Sequence, residues 1–467
     1  MLKPVCQADV DVVIVGAGAA GLAAAQHLTR AGLTTRVLEA APTVGGRMST
    51  EKVDGFRLDR VGRLLVTSYP ELRRTPGLDA LALRPFSPGV LLHSDGRHHR
   101  AGASITPRSA RGALTAARAL ASAPRLPLGS ARPSRNQGRP PRSQSRAPGR
   151  PGPLGGSLDQ TRLATALARL AATPPERLLT RPDLSAAQAL TTRGLPPRAV
   201  DGFLRPLLAA LLCDPALDTS SRYADLALRA FASGRLCLPE GGADTLPEFL
   251  AATLPPGTVH TGVQVTAVST TRVTTKDHGE LTCRAILLAT GARAAARLLP
   301  GLRVPAFHPV TVLHHTTDEP PLTDPALILD SDRSGPVAHT AVISQVDPSR
   351  APAGRALISS TVLGTPPAAA HLDAAVRTQL ARLYGTSTTR WELLAVHHTP
   401  DAVPAMPPPA DLSRPVRLLA GLYVCGDHRD TSTVQGALYS GRRAAHALLT
   451  DLGAWPATAE ETLETAA

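Results

Sequence analysis

Three glycines and one acid near the start of the chain have the spacing of a phosphate-binding turn. Gly16, Gly18 and Gly21 follow an apolar run, made of Val10 and residues 12–15, in a G-x-G-x-x-G pattern, and Glu39 lies 18 residues after Gly21. The first glycine permits a tight bend, the second lets a pyrophosphate approach the backbone, and the third permits close packing of helix and strand. Glu39 is placed to bind a ribose hydroxyl. The spacing therefore predicts a dinucleotide site.

The elements that must position these residues are readable from the same stretch. The β-branched residues of the apolar run, Val10 and residues 12–15, are typical of a buried parallel strand. Residues Ala19 to Leu28 predict a helix whose N-terminal N–H groups face the phosphates. Residues Thr34 to Leu38 predict a second strand, which ends at Glu39.

Three further motifs follow the glycine-rich turn. Gly45-Gly46-Arg47 follows the second strand, Ala289-Thr290 ends a later one, and Gly426-Asp427 precedes a helix with Gly-Ala in its first turn. These motifs resemble those of the FAD-dependent amine oxidase and phytoene desaturase superfamily. Paired glycines let the backbone come close to a ligand, and an arginine can pair with pyrophosphate oxygens. The resemblance implies an FAD-dependent oxidoreductase with FAD as its cofactor.

The resemblance also implies which residues bind FAD. Val265 would touch the adenine through its backbone, Asp427 would bind the ribityl chain, and the N–H groups of residues 434–437 would face the flavin edge that gains negative charge on reduction. No catalytic residue and no metal site are predicted. The predicted cofactor-binding residues are Gly16, Gly18, Ala19, Ala20, Gly21, Glu39, Ala40, Gly45, Gly46, Arg47, Gly62, Arg63, Val265, Thr290, Gly426, Asp427, Val434, Gln435 and Ala437.

The reaction implied is transfer of a hydride from a C–H bond of an apolar small molecule to flavin N5, with reoxidation by O2 or another redox partner. Two departures weigh against an amine substrate: Thr433 stands where an aromatic residue is expected, and the lysine often found beside the flavin has no counterpart, since Lys276 lies in a polar turn. A flavin amine oxidase, a flavin-dependent isomerase and a non-catalytic FAD-binding protein with a basic interaction segment remain alternatives.

The predicted fold class is α/β, a Rossmann-like FAD-binding domain interleaved with an α+β substrate domain that has an antiparallel sheet and a helical cap. The FAD-binding domain is expected to be discontinuous, over residues 1–95, 232–300 and 412–455. Residues 96–231 are expected to form the cap, with a low-complexity Arg/Pro-rich insertion at 124–156. Residues 301–411 are expected to form the substrate domain, and 456–467 a tail.

Hydrophobic periodicity predicts the main elements of these units. The pairs His314-His315 and His397-His398 fall on predicted strands, so at most one histidine of each pair can reach a shared site. Predicted helices are Leu158 to Ala172, Ser185 to Leu195, Val200 to Leu212, Ser221 to Phe231 and Ala368 to Leu383; predicted strands are Val90 to Arg97 (leading into a hairpin turn), Val259 to Val268, Leu281 to Leu288, Val310 to Thr316, Ala338 to Val346, Ala356 to Leu363 and Arg390 to His398.

Charge and composition restrict the partners and the compartment. The net charge is +13, yet 11 arginines and no acid lie between Arg100 and Leu158, so the basic character belongs to one segment. That distribution disfavours nucleic acid as the partner and leaves peripheral membrane contact open. Scattered cysteines, the lack of an apolar leader in residues 1–8 and the lack of a long apolar run favour a cytoplasmic protein without a membrane span.

Overall fold

The computed structural model describes residues 9–102, 152–366, 369–411 and 414–454. Most of the predicted insertion at 124–156 and the predicted tail at 456–467 lie outside the described residues. The remainder forms a mixed α/β structure, which confirms the predicted fold class.

A mainly parallel sheet of eight strands, called here the main sheet, carries the glycine-rich turn. Val10–Val15 lies at its centre, parallel to Thr35–Leu38 on one side and to Glu280–Leu288 on the other. Residues 12–15 and 285–288 of these strands are buried on both faces, which is why the sequence is continuously apolar there. The remaining strands are Val259–His260, Val265–Val268, Arg272–Thr275, Arg417–Leu419 and Leu422–Val424.

Two helices pack against each other beside the main sheet. The first helix, Ala19–Arg30, contacts the last helix, Val434–Asp451. A Cβ on Gly441 would collide with the carbonyl oxygen of Ala20, so only glycine permits this close approach. The contact brings the C-terminal Gly-Asp motif beside the glycine-rich turn.

A second sheet of seven strands is antiparallel except for one pair, and most of its strands come from residues 307–404. One helix, Ala369–Tyr384, buries Val376, Leu380 and their neighbours against it. The strands of the second sheet are, in spatial order, Glu392–Pro404, Phe307–Thr317, Ala356–Leu363, Val337–Val342, Ile328–Asp330, Val90–Ser94 and Arg97–Ala101.

Shorter elements connect the two sheets. Within the described ranges no helix is long and apolar enough to cross a membrane. Two small sheets pair Thr50–Val53 with Phe56–Asp59, and Leu236–Pro239 with Leu65–Val66 and Leu83–Pro85; the other helices are Glu71–Arg74, Ser157–Ala172, Pro175–Leu179, Ala186–Thr192, Pro197–Ala199, Arg205–Leu212, Ser221–Ser233, Thr245–Ala252, Ala292–Leu298 and Ile343–Val346.

Four predicted elements need correction. The strand predicted over Ala338 to Val346 is the strand Val337–Val342 followed by a short helix, Ile343–Val346. The strand predicted over Val259 to Val268 is two strands, because the N–H groups of Gly262 and Val263 bond to the chain after Thr35–Leu38 and not to a strand partner. Val90–Ser94 forms the predicted hairpin, but it pairs with Ile328–Asp330 of the second sheet and so leaves the unit predicted for residues 1–95. The helix predicted over Val200 to Leu212 begins with a π-helical turn at 200–204, immediately before Pro206, which lacks an N–H donor.

Candidate functional site

A cavity of about 850 Å³, called here the main cavity, lies where the main sheet, the second sheet and the last helix meet. Its wall brings together the glycine-rich turn, Gly-Gly-Arg, Ala-Thr and Gly-Asp, which are spread over more than 400 positions of the chain. The predicted residues on this wall are Gly16, Gly18, Ala19, Ala20, Glu39, Ala40, Gly45, Gly46, Arg47, Arg63, Val265, Thr290, Gly426, Asp427, Val434 and Ala437.

The glycine-rich turn leaves one glycine facing empty space. A Cβ on Gly16, whose φ is +107°, would lie 3.0 Å from the backbone of Ala289, whereas a Cβ on Gly18 would meet nothing within 4 Å. The turn is fixed from the other side by the Gly45 N–H, which donates to the Ala17 carbonyl at 2.9 Å. The open face of Gly18 is therefore a cradle into which a ligand atom can come close to the backbone.

Glu39 is held by the turn that it follows. One carboxylate oxygen accepts from the Ala17 N–H at 2.7 Å and the other from the Ala41 N–H at 2.9 Å. Each oxygen can accept more than one hydrogen bond. The side chain is therefore positioned on the cavity wall and keeps the capacity to accept from a ribose hydroxyl.

Arg47 and Asp427 form an ion pair on the wall. The guanidinium donates to Asp427 Oδ1 at 2.6 Å and to the Ala402 carbonyl at 3.0 Å. Burial is the largest single influence on the pKa of Asp427 and raises it. The charge and the hydrogen bond of Arg47, with smaller effects of His428 and Arg63, together bring the pKa of this carboxyl below its ordinary value. The pair keeps both groups charged and links the Gly-Gly-Arg turn to the C-terminal motif.

The last helix presents only part of the predicted row of N–H groups. Thr433 is its N-cap: its hydroxyl accepts from the Gly436 N–H at 3.1 Å, and its carbonyl accepts from the Ala437 N–H at 3.0 Å. The N–H groups of Val434 and Gln435, at the first two helical positions, have no intrahelical acceptor. The positive end of the helix is thus limited to these two donors.

Three predicted cofactor residues do not lie on the cavity wall. Gly21 packs the first helix onto the Gly16 carbonyl, which is the packing role expected of the third glycine. Gly62 faces Val312 of the second sheet, and Gln435 points its side chain at the Glu71 N–H. The roles predicted for Gly62 and Gln435 in binding FAD stay predictions, and the wall of the main cavity gives them no support.

The wall of the main cavity also includes residues that belong to none of the predicted motifs. Arg293 donates to Asp401 Oδ2 at 2.6 Å, and its guanidinium lies 5.1 Å from the centre of the Phe307 ring. Arg297 lies on the wall as well. The sequence signal that could have identified this group is the pair of arginines, Arg293 and Arg297, in the short helix that follows Ala-Thr. Asp401 and Phe307 belong to the second sheet, so their position in the sequence does not connect them with that helix.

The main cavity passes a test of fit for the predicted FAD. The hydroxyl of Thr290 is buried on its wall without a hydrogen-bond partner in the described chain. Gly18 offers an open backbone cradle, and Arg47 and Arg63 supply positive charge beside it. A phosphate-bearing ligand with hydroxyl groups matches this set of donors and acceptors.

The histidine pairs are structural. His314 and His397, one from each pair, meet with ring centres 5.5 Å apart, as strand alternation requires. Both ring nitrogens of His314 are hydrogen bonded, to Ser359 and to the Asp59 carbonyl, and burial lowers its pKa to about 3. This neutral histidine lies off the wall of the main cavity.

A model of one protein family matches most of the chain. The model of the family described as flavin containing amine oxidoreductase matches residues 19–449. Among curated proteins, the putrescine oxidase of Kocuria rosea is 40% identical over 102 residues, an alignment that covers 21% of this chain and 21% of that protein's length.

Solved structures match over the whole fold. An oxidoreductase from Methanosarcina mazei superimposes with a TM-score of 0.67 at 16% identity, covering 93% of this chain and 100% of that chain. Cyclohexylamine oxidase from Brevibacterium oxydans superimposes with a TM-score of 0.63 at 17% identity, covering 95% and 100%. At these identities the likeness concerns the fold.

Proposed function

The chain belongs to the flavin-containing amine oxidoreductase family, and from that premise we propose that it takes a hydride from a C–H bond of an apolar small molecule. Membership makes it an FAD-dependent oxidoreductase. When bound, FAD supplies the two-electron acceptor, while the protein contributes binding, orientation and shielding from water. One observation carries the proposal: the motifs converge on a main cavity that borders a second, largely apolar one at Thr433.

Each part of the main cavity has a role in this proposal. Gly18 and the start of the first helix hold the pyrophosphate, and Glu39 accepts from the adenosine ribose. Asp427, kept ionised by Arg47, accepts from the hydroxyls of the ribityl chain. The first N–H groups of the last helix stabilise negative charge that develops at the flavin edge on reduction.

The second cavity is the proposed binding site for part of the substrate. It lies between the cap helix, Ser221–Ser233, and the start of the last helix, and its volume is about 60 Å³. Apolar side chains supply much of its wall, among them Leu212, Leu226 and Met406. Such a surface favours an apolar substrate and excludes water from the bond that reacts.

An amine substrate is the second candidate, because the relatives named above are a putrescine oxidase and a cyclohexylamine oxidase. The residues at the second cavity favour it less. The carboxylate there, Asp430, is paired with Arg443 at 3.2 Å, and burial raises its pKa to about 7. A carboxyl so occupied is a poor partner for a substrate ammonium group.

The test compares two six-membered hydride donors under anaerobic conditions. The protein loaded with FAD is mixed with 1,4-cyclohexadiene, which gives benzene on loss of a hydride and a proton, or with cyclohexylamine, which gives the imine. Loss of visible flavin absorbance with the diene is the expected result. Reduction by the amine alone would replace the proposal by amine oxidation, and reduction by neither would leave an FAD-binding protein without this activity. Admission of O2 to the reduced protein then tests O2 as the acceptor.

A further inference from the structure

The second cavity contains two buried polar atoms that bond to nothing in the described chain. They are Oη of Tyr223, on the cap helix, and Nε2 of Gln435, on the last helix. Both side chains are more than nine-tenths buried, with exposed fractions of 4% and 7%. Buried polar groups are nearly always hydrogen bonded, so two such atoms on one cavity wall call for a ligand.

The hydrogen bonding of Gln435 identifies the kind of ligand atom required. Its Oε1 accepts from the Glu71 N–H at 3.0 Å, which assigns the other end of the amide as the NH2 group. An amide NH2 can only donate, and a tyrosine hydroxyl can donate as well. The two groups without a partner on this wall can therefore both donate hydrogen bonds, and a ligand oxygen that accepts hydrogen bonds would satisfy them.

The carboxylate of the cavity does not satisfy these donors. Asp430 accepts from the Thr431 N–H at 2.8 Å through Oδ1 and pairs with Arg443 through Oδ2. Neither Tyr223 nor Gln435 is among its hydrogen-bond partners. Asp430 is neutral below its raised pKa of about 7, and Arg443 balances its charge when it is ionised, so it does not exclude an oxygen acceptor from the same cavity.

We propose that Tyr223 and Gln435 form a subsite for a carbonyl or carboxylate oxygen of the substrate. The inference rests on the proposed function, and it narrows the substrate to an apolar molecule that carries an oxygen acceptor. A volume of about 60 Å³ suits such a head group and not a whole substrate. Because Thr433 lines both cavities, a molecule held at this end is directed towards the main cavity.

The experiment measures binding, and no turnover is needed. FAD-loaded protein is titrated calorimetrically with cyclohexanone and with methylenecyclohexane, which share a shape and differ in the acceptor oxygen. We expect cyclohexanone to bind at least about tenfold more tightly, since the site's donors stay unpaired with the alkene. A parallel titration with cyclohexanecarboxylate distinguishes a carboxylate head group from a neutral carbonyl.

Two variants test the assignment. Tyr223→Phe removes a hydroxyl that has no intramolecular partner, so the variant should fold normally and lose most of the preference for the ketone. Gln435→Met should lose it too, although it also removes the acceptor for the Glu71 N–H. Tyr384→Phe is the matched control, because that buried hydroxyl bonds to Thr340 where the helix Ala369–Tyr384 packs against the second sheet, and it lies on neither cavity wall.

The outcomes separate the two proposals. Equal binding of ketone and alkene by the unaltered protein, or an unchanged preference in Tyr223→Phe, overturns the subsite and indicates that a buried water serves these groups. Cyclohexanone is also tested as the hydride donor, since loss of a hydride and a proton gives 2-cyclohexenone. Normal discrimination between ketone and alkene, with no flavin reduction by cyclohexanone, the diene or the amine, overturns the proposed function and leaves only a binding site for an oxygen acceptor.

Discussion

Replacing Gly18 by alanine separates cofactor binding from folding more cleanly than any other change in the glycine-rich turn. Gly18 has φ −80° and ψ 176°, a conformation that alanine adopts without strain, and its Cβ would enter empty space in the main cavity. The entropic gain of a Gly→Ala change is about 0.4–1 kcal/mol. The loss of a favourable N-cap glycine is about as large, so the two effects offset one another. The free energy of unfolding without FAD should therefore stay within about 1 kcal/mol of the original.

The same methyl group should be costly once FAD binds. It occupies the open face through which the pyrophosphate is expected to reach the helix N-terminus. Loss of one hydrogen bond to a charged group costs about 1.5–3 kcal/mol. Since about 1.4 kcal/mol is a tenfold change, the dissociation constant for FAD should rise roughly tenfold to a hundredfold.

The assay is titration of FAD into apoprotein, followed by flavin fluorescence, with urea unfolding of the same preparations. Gly156→Ala is the matched control, because Gly156 is also a helix N-cap, with φ −76° and ψ 175°, and its Cβ would also enter open space. It lies on neither cavity wall. If Gly18→Ala bound FAD as tightly as Gly156→Ala does, the placement of the pyrophosphate at Gly18 would be refuted.

Three further predictions concern folding, and each is measured by urea unfolding. Gly21→Ala should lower the free energy of unfolding by about 3 kcal/mol, because the new Cβ would collide with the Gly16 carbonyl. Asp59→Asn should cost about 3–5 kcal/mol, since it leaves Arg350, only 2% exposed, without the carboxylate that it meets at 2.7 Å. Asp430→Asn should change the pH profile, because the raised pKa makes the folded chain hold a proton between pH 3.8 and about 7 that the unfolded chain releases. Stability of the unaltered protein relative to Asp430→Asn should therefore fall as the pH rises through this window; a flat difference would contradict the raised pKa.

Sequence patterns correctly predicted the elements whose formation depends on residues close together along the chain. The strand, turn and helix of residues 10–30 follow from a β-branched run, three glycines and an alanine-rich segment, and they form as predicted. The strand Ala356–Leu363 matches its predicted bounds for the same reason. No comparable sequence pattern indicates which strands far apart along the chain will pair. Val90–Ser94 could join the second sheet only through residues more than 200 positions away, and no spacing rule indicates that pairing.

The start of the last helix shows why a motif match does not settle the role of each residue in it. Successive helical residues are rotated by about 100°, so positions three apart share a face while neighbours do not. Val434 and Ala437 accordingly line the main cavity, and Gln435 turns to Glu71 and the second cavity. Thr433, which stands where an aromatic residue was expected, lines both. A small capping residue at this position leaves the two cavities adjoining at Thr433. The proposed acceptor subsite of Tyr223 and Gln435 depends on that connection, because it is the route by which a molecule held there would reach the main cavity.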